Sequence, residues 1–316
     1  NKFLKDWGFE TVIFSLLIGL FISNIFSIPK WLKESLSSEL FVKIGLVLLG
    51  TTVLFDDLLK AGALGLIQSC VVVFTVWNFC FWLCRKMKID KEMSLMLSSA
   101  VSICGVSAAV ATAGAIKGDK TKLSYVVSLV LVVAVPMILI MPGLAKLMGL
   151  PEDMAGAWIG GTIDTTGAVA ATGAIYGEVA LQTSTIVKFS QNVLLGVAAF
   201  LISIYWSYSK KEVTEEKPTL KVIWLRFPKF VLGFVAASLV FSFCVAPEVV
   251  SDAKPILKNI QGMWFALAFM SIGLETDFKS LITSENRRST YAFLGAQAFN
   301  VVFTLLVAWI LFGLIA

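Results

Sequence analysis

The sequence predicts an all-α polytopic membrane protein with about ten transmembrane helices, in an inverted-repeat transporter fold where two broken helices meet at the centre. Three observations predict it. Hydrophobic residues make up 58% of the 316 and charged ones 15%, against roughly 25% charged and under half apolar in soluble domains. Apolar runs of crossing length recur along the whole chain, separated by short polar loops. Two of those runs carry clusters of Gly, Ser and Thr, and one of them holds a carboxylate, Asp164.

At about 20 residues per crossing, the apolar segments fall at roughly 9–28, 40–55, 63–84, 93–116, 122–141, 154–177, 183–208, 229–247, 259–278 and 289–315. The second is short for a full span and draws in part of 36–40. They form a single polytopic domain over 1–316, its first half at about 1–141 and its second at about 154–316. The longest polar stretch, 209–226, holds Lys210, Lys211, Glu212, Glu215, Glu216 and Lys217; too short to fold alone, it reads as a linker. The chain opens at Asn1 rather than Met, so residues are expected to precede it, with room for another apolar segment.

The net charge of +5 does not indicate nucleic acid, because the basic residues sit in short loops, where they set topology. With loops assigned alternately, most of them fall on the sides holding Lys30 and Lys33, Arg85 to Lys91, Lys146, Lys210 to Lys229, and Lys279 to Arg288. The positive-inside rule then puts Asn1 outside and the 209–226 linker in the cytoplasm, as expected of a multi-pass protein of the cell (inner) membrane. Trp31, Trp77, Trp82, Trp206, Trp224 and Trp264 fall near segment ends, as an aromatic belt requires.

Five cysteines, Cys70, Cys80, Cys84, Cys104 and Cys244, lie in apolar segments without metal-ligand spacing. Cys80 and Cys84 share a helix face, but with no histidine in the chain they make a poor zinc site, and neither a metal nor an organic cofactor is expected. The same absence removes histidine triads and the usual proton relay. No nucleophile–base constellation remains, so the chain is not expected to be an enzyme.

In the fourth segment Ser98, Ser99, Ser102, Ser107 and Thr112 flank Cys104-Gly105. A helix broken there aims free N–H groups and a partial positive charge into the protein, which suits an anion. In the sixth, Gly160, Gly161 and Gly167 bracket Asp164 together with Thr162, Thr165 and Thr166. An ionised carboxylate at that depth is costly unless paired or wet, and glycines let the helix open to offer backbone groups to a solute. The seventh adds Lys188, followed by Ser190, Gln191 and Asn192. Lys188 either snorkels to the interface or turns inward to pair with Asp164 and add positive charge to an anion site. Lys43 can snorkel; Asp56, Asp57, Glu275 and Asp277 stand at helix ends, with Glu275 the candidate to line a vestibule.

Two internal similarities bear on the repeat. Gly50, Phe55 and Leu58 match Gly273, Phe278 and Leu281 at equal offsets, each set closing an apolar run in an acidic patch. Ala109–Ile116 matches Ala168–Ile175 at six of eight positions. In a ten-span count that second pair runs parallel, which a simple inverted repeat forbids. Either a neighbouring segment such as 142–151 is re-entrant, or the match reflects small residues used for close packing.

The chain resembles the YeiH-type sulfate exporter family, related in fold to the cation/proton antiporter and anion transporter group. The resemblance rests on Ile44–Gly50, Ser102–Gly105, Ile159–Ile163 and Ser271–Leu274, which span nearly the whole chain in order. It implies an inverted-repeat transporter of small anions such as sulfate, sulfite or an organosulfonate, with an N-terminal helix beyond those present here. It also implies a His-Glu pair where this chain has Asp164 and Thr165, and a Lys-x-x-Arg pattern where it has Lys188 and Gln191. The charge of the site therefore departs from the family pattern.

The expected function is secondary active transport, as an exporter, of a small inorganic or organic anion, coupled to H⁺ or Na⁺. Ser102, Cys104, Gly105, Ser107, Thr162, Thr165 and Lys188 are the candidate substrate-binding residues, with Asp164 and Glu275 coupling the ion. The alternative is a cation/proton antiporter with Asp164 as the ion-binding carboxylate. Membrane lipid is the other expected partner, and a homodimer is compatible with either function.

Overall fold

The computed structural model of the protein describes residues 7–26, 29, 36–210, 224–225, 227–275 and 287–315, with helices and no strand among them. Its helices are α1 (Trp7–Ile25), α2 (Ser38–Gly50), α3 (Phe55–Lys86), α4 (Lys91–Ser99, prolonged by a π-turn over Ala100–Cys104), α5 (Val106–Ile116) and α6 (Lys120–Leu147). There follow α7 (Glu152–Thr162), α8 (Thr166–Tyr176), α9 (Glu178–Lys210), α10 (Phe230–Leu239, with a π segment Val240–Cys244), α11 (Pro247–Glu275) and α12 (Arg287–Ala308, with a π segment Trp309–Ile315). Four are long and apolar enough to cross a membrane: Phe55–Lys86, Lys120–Leu147, Glu178–Trp206 and Arg287–Leu314. The third is the most enclosed, 61% of its apolar window being buried against 33–44% in the others, so α9 is the central element.

Both expected breaks are present. At the first, Gly105 takes φ 54, ψ −114, a left-handed conformation that a Cβ would strain, and the chain reverses there. At the second, Ile163 and Thr165 are extended, and the Thr165 hydroxyl accepts the Ala168 N–H at 3.2 Å, capping α8.

Neither broken segment crosses, however. Each is a hairpin whose two ends lie together. The Glu152 carboxylate, at the start of α7, accepts from Val179 N at 2.9 Å, and the Tyr176 hydroxyl, at the end of α8, donates to the Leu150 carbonyl at 2.5 Å. In a continuous helix, residues 152 and 177 would stand about 38 Å apart at 1.5 Å per residue. Likewise the Lys122 ammonium, beyond the end of α5, meets Asp90 at 2.8 Å and Glu92 at 3.3 Å, at the start of α4. Leu95 and Ile116 pack in one small cluster with Ile202. The first arm has 9 α-helical residues and a π-turn of 5, and the other three have 11 each, so at 1.5 Å per residue they are about 16–21 Å long, well short of a hydrocarbon layer of roughly 30 Å. They reach the middle and return.

The reversals change the order of sides. Since α6 runs from the base of the first hairpin to the base of the second, the hairpins enter from opposite ends. Lys117, Lys120 and Lys122 join Arg85 to Lys91 on one end, and Lys146 moves to the other. Lys91 stacks over Tyr205 at 4.4 Å and so places the far end of α9 with the first group. That end is the richer in positive charge, as in the sequence reading, though by a different path. Residues 211–223, most of the expected linker, lie outside the described residues, as do 276–281 of the Gly273–Leu281 match and the Trp31 and Lys33 positions.

The hairpins pack with α3, α6, α9 and α12, whereas α1, α2, α10 and α11 pack mainly on one another, and α8 touches α1, α2 and α11. Close helix contact depends on absent side chains. A Cβ at Gly160 of α7 would stand 2.4 Å from the Ser184 carbonyl of α9, and one at Gly273 of α11 would stand 2.5 Å from the Leu16 carbonyl of α1.

Candidate functional site

The two hairpin tips meet. A Cβ at Gly105 would lie 3.3 Å from Cβ of Asp164 and 3.2 Å from Cγ2 of Thr165, so the absence of a side chain lets one tip seat on the other. Beside this contact is a cavity of about 610 Å³ lined by Cys104, Val106 and Ser107 of the first tip and by Thr165, Thr166 and Gly167 of the second. Its wall includes Asn192 of α9, and its outer part is formed by Ser38, Glu39, Lys43, Lys229 and Glu275. The N-termini of α5 and α8 therefore open on one space. Each contributes unpaired N–H groups and about half a positive charge there.

The C-terminal ends of the incoming arms are held from behind. Lys188 of α9 is 1% exposed, and its ammonium donates to the Ile103 carbonyl at 2.7 Å, the Ile163 carbonyl at 2.8 Å and Gln191 Oε1 at 2.9 Å. A cation at two helix C-termini is matched to their partial negative charge. Gln191 passes the connection on, donating to the Gly161 carbonyl at 3.0 Å. From α12, Asn300 Nδ2 donates to the Val101 carbonyl at 3.2 Å and the Thr162 carbonyl at 3.1 Å, and Gln297 donates to the Thr162 carbonyl at 3.0 Å. Thr304 fixes Asn300 through its amide oxygen at 2.7 Å. Lys188 and Asn300 each bridge both hairpins.

The expected set is thus divided. Cys104, Ser107, Thr165 and Glu275 line the cavity, with Glu275 at its outer part accepting the Ser38 hydroxyl at 2.7 Å. Gly105 forms the tip contact. Thr162, Asp164 and Lys188 are buried behind it. Ser102 is buried too, and its hydroxyl donates to the Ser98 carbonyl one turn earlier, so it faces its own helix. Lys188 turns inward, as one sequence alternative had it, but it does not pair with Asp164. The paired carbonyls of two helix ends capture the ammonium instead, and both Asp164 oxygens are left without a hydrogen-bond partner. Gln297, Asn300, Thr304 and Gln68 were not singled out in the sequence. Their signal was available, since residues 297, 300 and 304 repeat at helical spacing inside an apolar segment.

The model of the family described as conserved hypothetical protein 698 matches residues 4–292. The chain belongs to this family. A UPF0324 membrane protein of Rhodopirellula baltica is 39% identical over 322 residues, covering 99% of this chain and 59% of the relative. One from Nitratidesulfovibrio vulgaris is 38% identical over 326 residues, covering 99% and 56%, and one from Nitrosomonas europaea 30% identical over 321 residues, covering 89% and 66%. The chain thus spans somewhat under three fifths of the first two relatives' length. No solved structure matches it. Family membership agrees with the resemblance carried by Ser102–Gly105 and Ile159–Ile163, and the membrane character of the relatives agrees with the four long apolar helices.

Proposed function

We propose that the protein is a secondary active transporter of a small anion of the sulfate, sulfite or organosulfonate class, exporting it across the cell membrane with H⁺ or Na⁺ as the coupling ion. One observation carries the reading: the N-termini of two half-helices from separate hairpins open on a single cavity lined by Cys104, Ser107, Thr165 and Asn192. Converging N–H groups and hydroxyls are donors arranged for an oxyanion. Hairpins that enter from opposite ends, with matching second arms at Ala109–Ile116 and Ala168–Ile175, support an inverted repeat within a roughly ten-segment fold. Lys188 adds positive charge from behind the tips.

The cation/proton antiporter is the second reading, favoured by the two unpartnered oxygens of Asp164. Purified protein in liposomes separates the two. Uptake of radiolabelled sulfate, sulfite or methanesulfonate above that of empty liposomes is expected, and it should fall at least tenfold in Ser107→Leu, whose side chain enters the cavity. Proton flux driven by Na⁺ alone, with no uptake of any of these anions, would replace the anion reading with the antiporter.

A further inference from the structure

Buried oxygens without partners gather at one place. Among the described residues seven such side-chain oxygens occur, and six belong to residues in or against 161–166: Thr162 Oγ1, both oxygens of Asp164, and the amide oxygens of Gln68, Asn192 and Gln297. Two of the amide orientations are fixed, because their NH₂ groups donate to carbonyls, Gln68 to Ala157 at 2.7 Å and Gln297 to Thr162 at 3.0 Å, while the Asn192 amide meets the Thr166 hydroxyl at 3.2 Å. The leftover groups are all lone-pair donors. A buried polar group left unpaired costs roughly 1–3 kcal/mol, and a carboxylate more, so the four oxygens at Thr162, Asp164 and Gln297, the last tied to the Thr162 carbonyl, call for a common electrophile. A proton supplies a single donor and would satisfy one oxygen pair. A hard cation takes several oxygen ligands at once.

We propose that the tip of the second hairpin binds one sodium ion, held by the Asp164 carboxylate, the Thr162 hydroxyl and the Gln297 amide oxygen, and that its charge favours an anion in the adjoining cavity. The inference rests on the transporter reading for its second clause alone. Asp164 and Lys188 are the two buried charged residues among those described, and their formal charges cancel. A sodium ion leaves the tips with one positive charge in excess, a few ångströms behind the N-termini that face the cavity. Binding of either ion then raises the affinity of the other by the same factor. A monovalent ion fits a single carboxylate with neutral oxygens; the described residues hold no group of three Cys, Asp or Glu such as a divalent ion would prefer.

Binding of ²²Na⁺ to the purified protein in detergent, with choline replacing sodium in the control, tests the site without requiring transport. Saturable binding is expected. It should be lost in Asp164→Asn and weakened at least tenfold in Thr162→Val and Gln297→Leu, whereas Thr162→Ser, which keeps the hydroxyl, should bind like the parent. Each variant is admitted only if it elutes as the parent does; Thr162→Ser guards against a folding artefact at that position. Adding sulfate or methanesulfonate should raise sodium affinity. Absence of saturable ²²Na⁺ binding, or binding unchanged in Asp164→Asn and Thr162→Val, overturns the site. Sodium binding with no anion response keeps the site and overturns its coupling, and anion uptake that needs no sodium keeps the transporter and likewise overturns the coupling.

Discussion

Lys188 illustrates how a buried charge can be supported without an ion pair. Three acceptors surround the ammonium, two of them carbonyls at the ends of separate helices. Lys188→Met removes the donor and leaves those acceptors buried, at about 1–3 kcal/mol for each that stays unsatisfied. The variant is expected to melt well below the parent and to bind anions at least tenfold more weakly, as read by thermal shift and equilibrium binding. Asn300→Ala should destabilise through the same two hairpins from the α12 side. Stability unchanged in both would show that the bridges are incidental. The sequence made Lys188 visible because an ammonium in an apolar run is conspicuous. It left open whether the side chain snorkels or turns inward to Asp164, and the carbonyls at two helix ends that hold the ammonium have no local signature. Asn300 and Gln297 were harder to see, as neutral amides interrupt a span without the penalty that draws attention to a charge.

At the scale of elements, small residues decide how closely helices approach. Gly160→Ala forces a Cβ to within 2.4 Å of the Ser184 carbonyl, a backbone atom of α9 that cannot swing away; overpacking of this kind typically costs about 1–3 kcal/mol. Gly143 of α6 has nothing within 4 Å of its would-be Cβ, so Gly143→Ala should stabilise by up to about 1 kcal/mol through helix propensity. Opposite shifts in melting temperature are the expected result, and equal shifts would contradict the packing described. At the start of α6, Asp119 accepts from Lys122 N at 2.9 Å and Thr121 N at 2.7 Å, and these amides lower its carboxyl below the usual carboxylate range. A carboxyl depressed in the fold stabilises above its unfolded pKa of about 3.9 and loses that contribution as pH falls through the lower folded value. Asp119→Asn should therefore weaken the acid dependence of melting below about pH 4; an unchanged acid profile would show the cap to be immaterial. The breaks at Gly105 and Thr165 could be read from glycines and hydroxyls. That each break reverses the chain could not, because 3.6-residue periodicity is the same in two half-helices as in one whole helix. The reversals show in contacts such as Glu152 with Val179 and Lys122 with Asp90, which no local pattern encodes.

For the whole molecule, membrane class and helical architecture follow from composition, and the end richer in positive charge follows once the reversals are known. Treating both hairpins as crossings placed Lys146 with Arg85 and separated Lys122 from it; the ion pair of Lys122 with Asp90 restores the order. The same reversals remove the difficulty over Ala109–Ile116 and Ala168–Ile175. As second arms of hairpins entering from opposite ends, α5 and α8 run in opposite directions rather than parallel. The cavity was less legible, because its lining comes from α2, the π-turn of α4, α5, α6, α8, α9, α10 and α11 and has no signature in any one of them.

A small anion in the cavity beside the tips would be reported directly by Cys104, which belongs to the lining. With Cys70, Cys80, Cys84 and Cys244 replaced by alanine, the rate at which the sulfonate-bearing reagent 2-sulfonatoethyl methanethiosulfonate modifies Cys104 can be followed by mass spectrometry with and without added anion. Cys104 is expected to be modified, and saturating sulfate, sulfite or methanesulfonate should slow the reaction at least fivefold, while chloride at equal ionic strength should not. Modification at the same rate in every anion, or no modification in a folded protein, would contradict the anion reading.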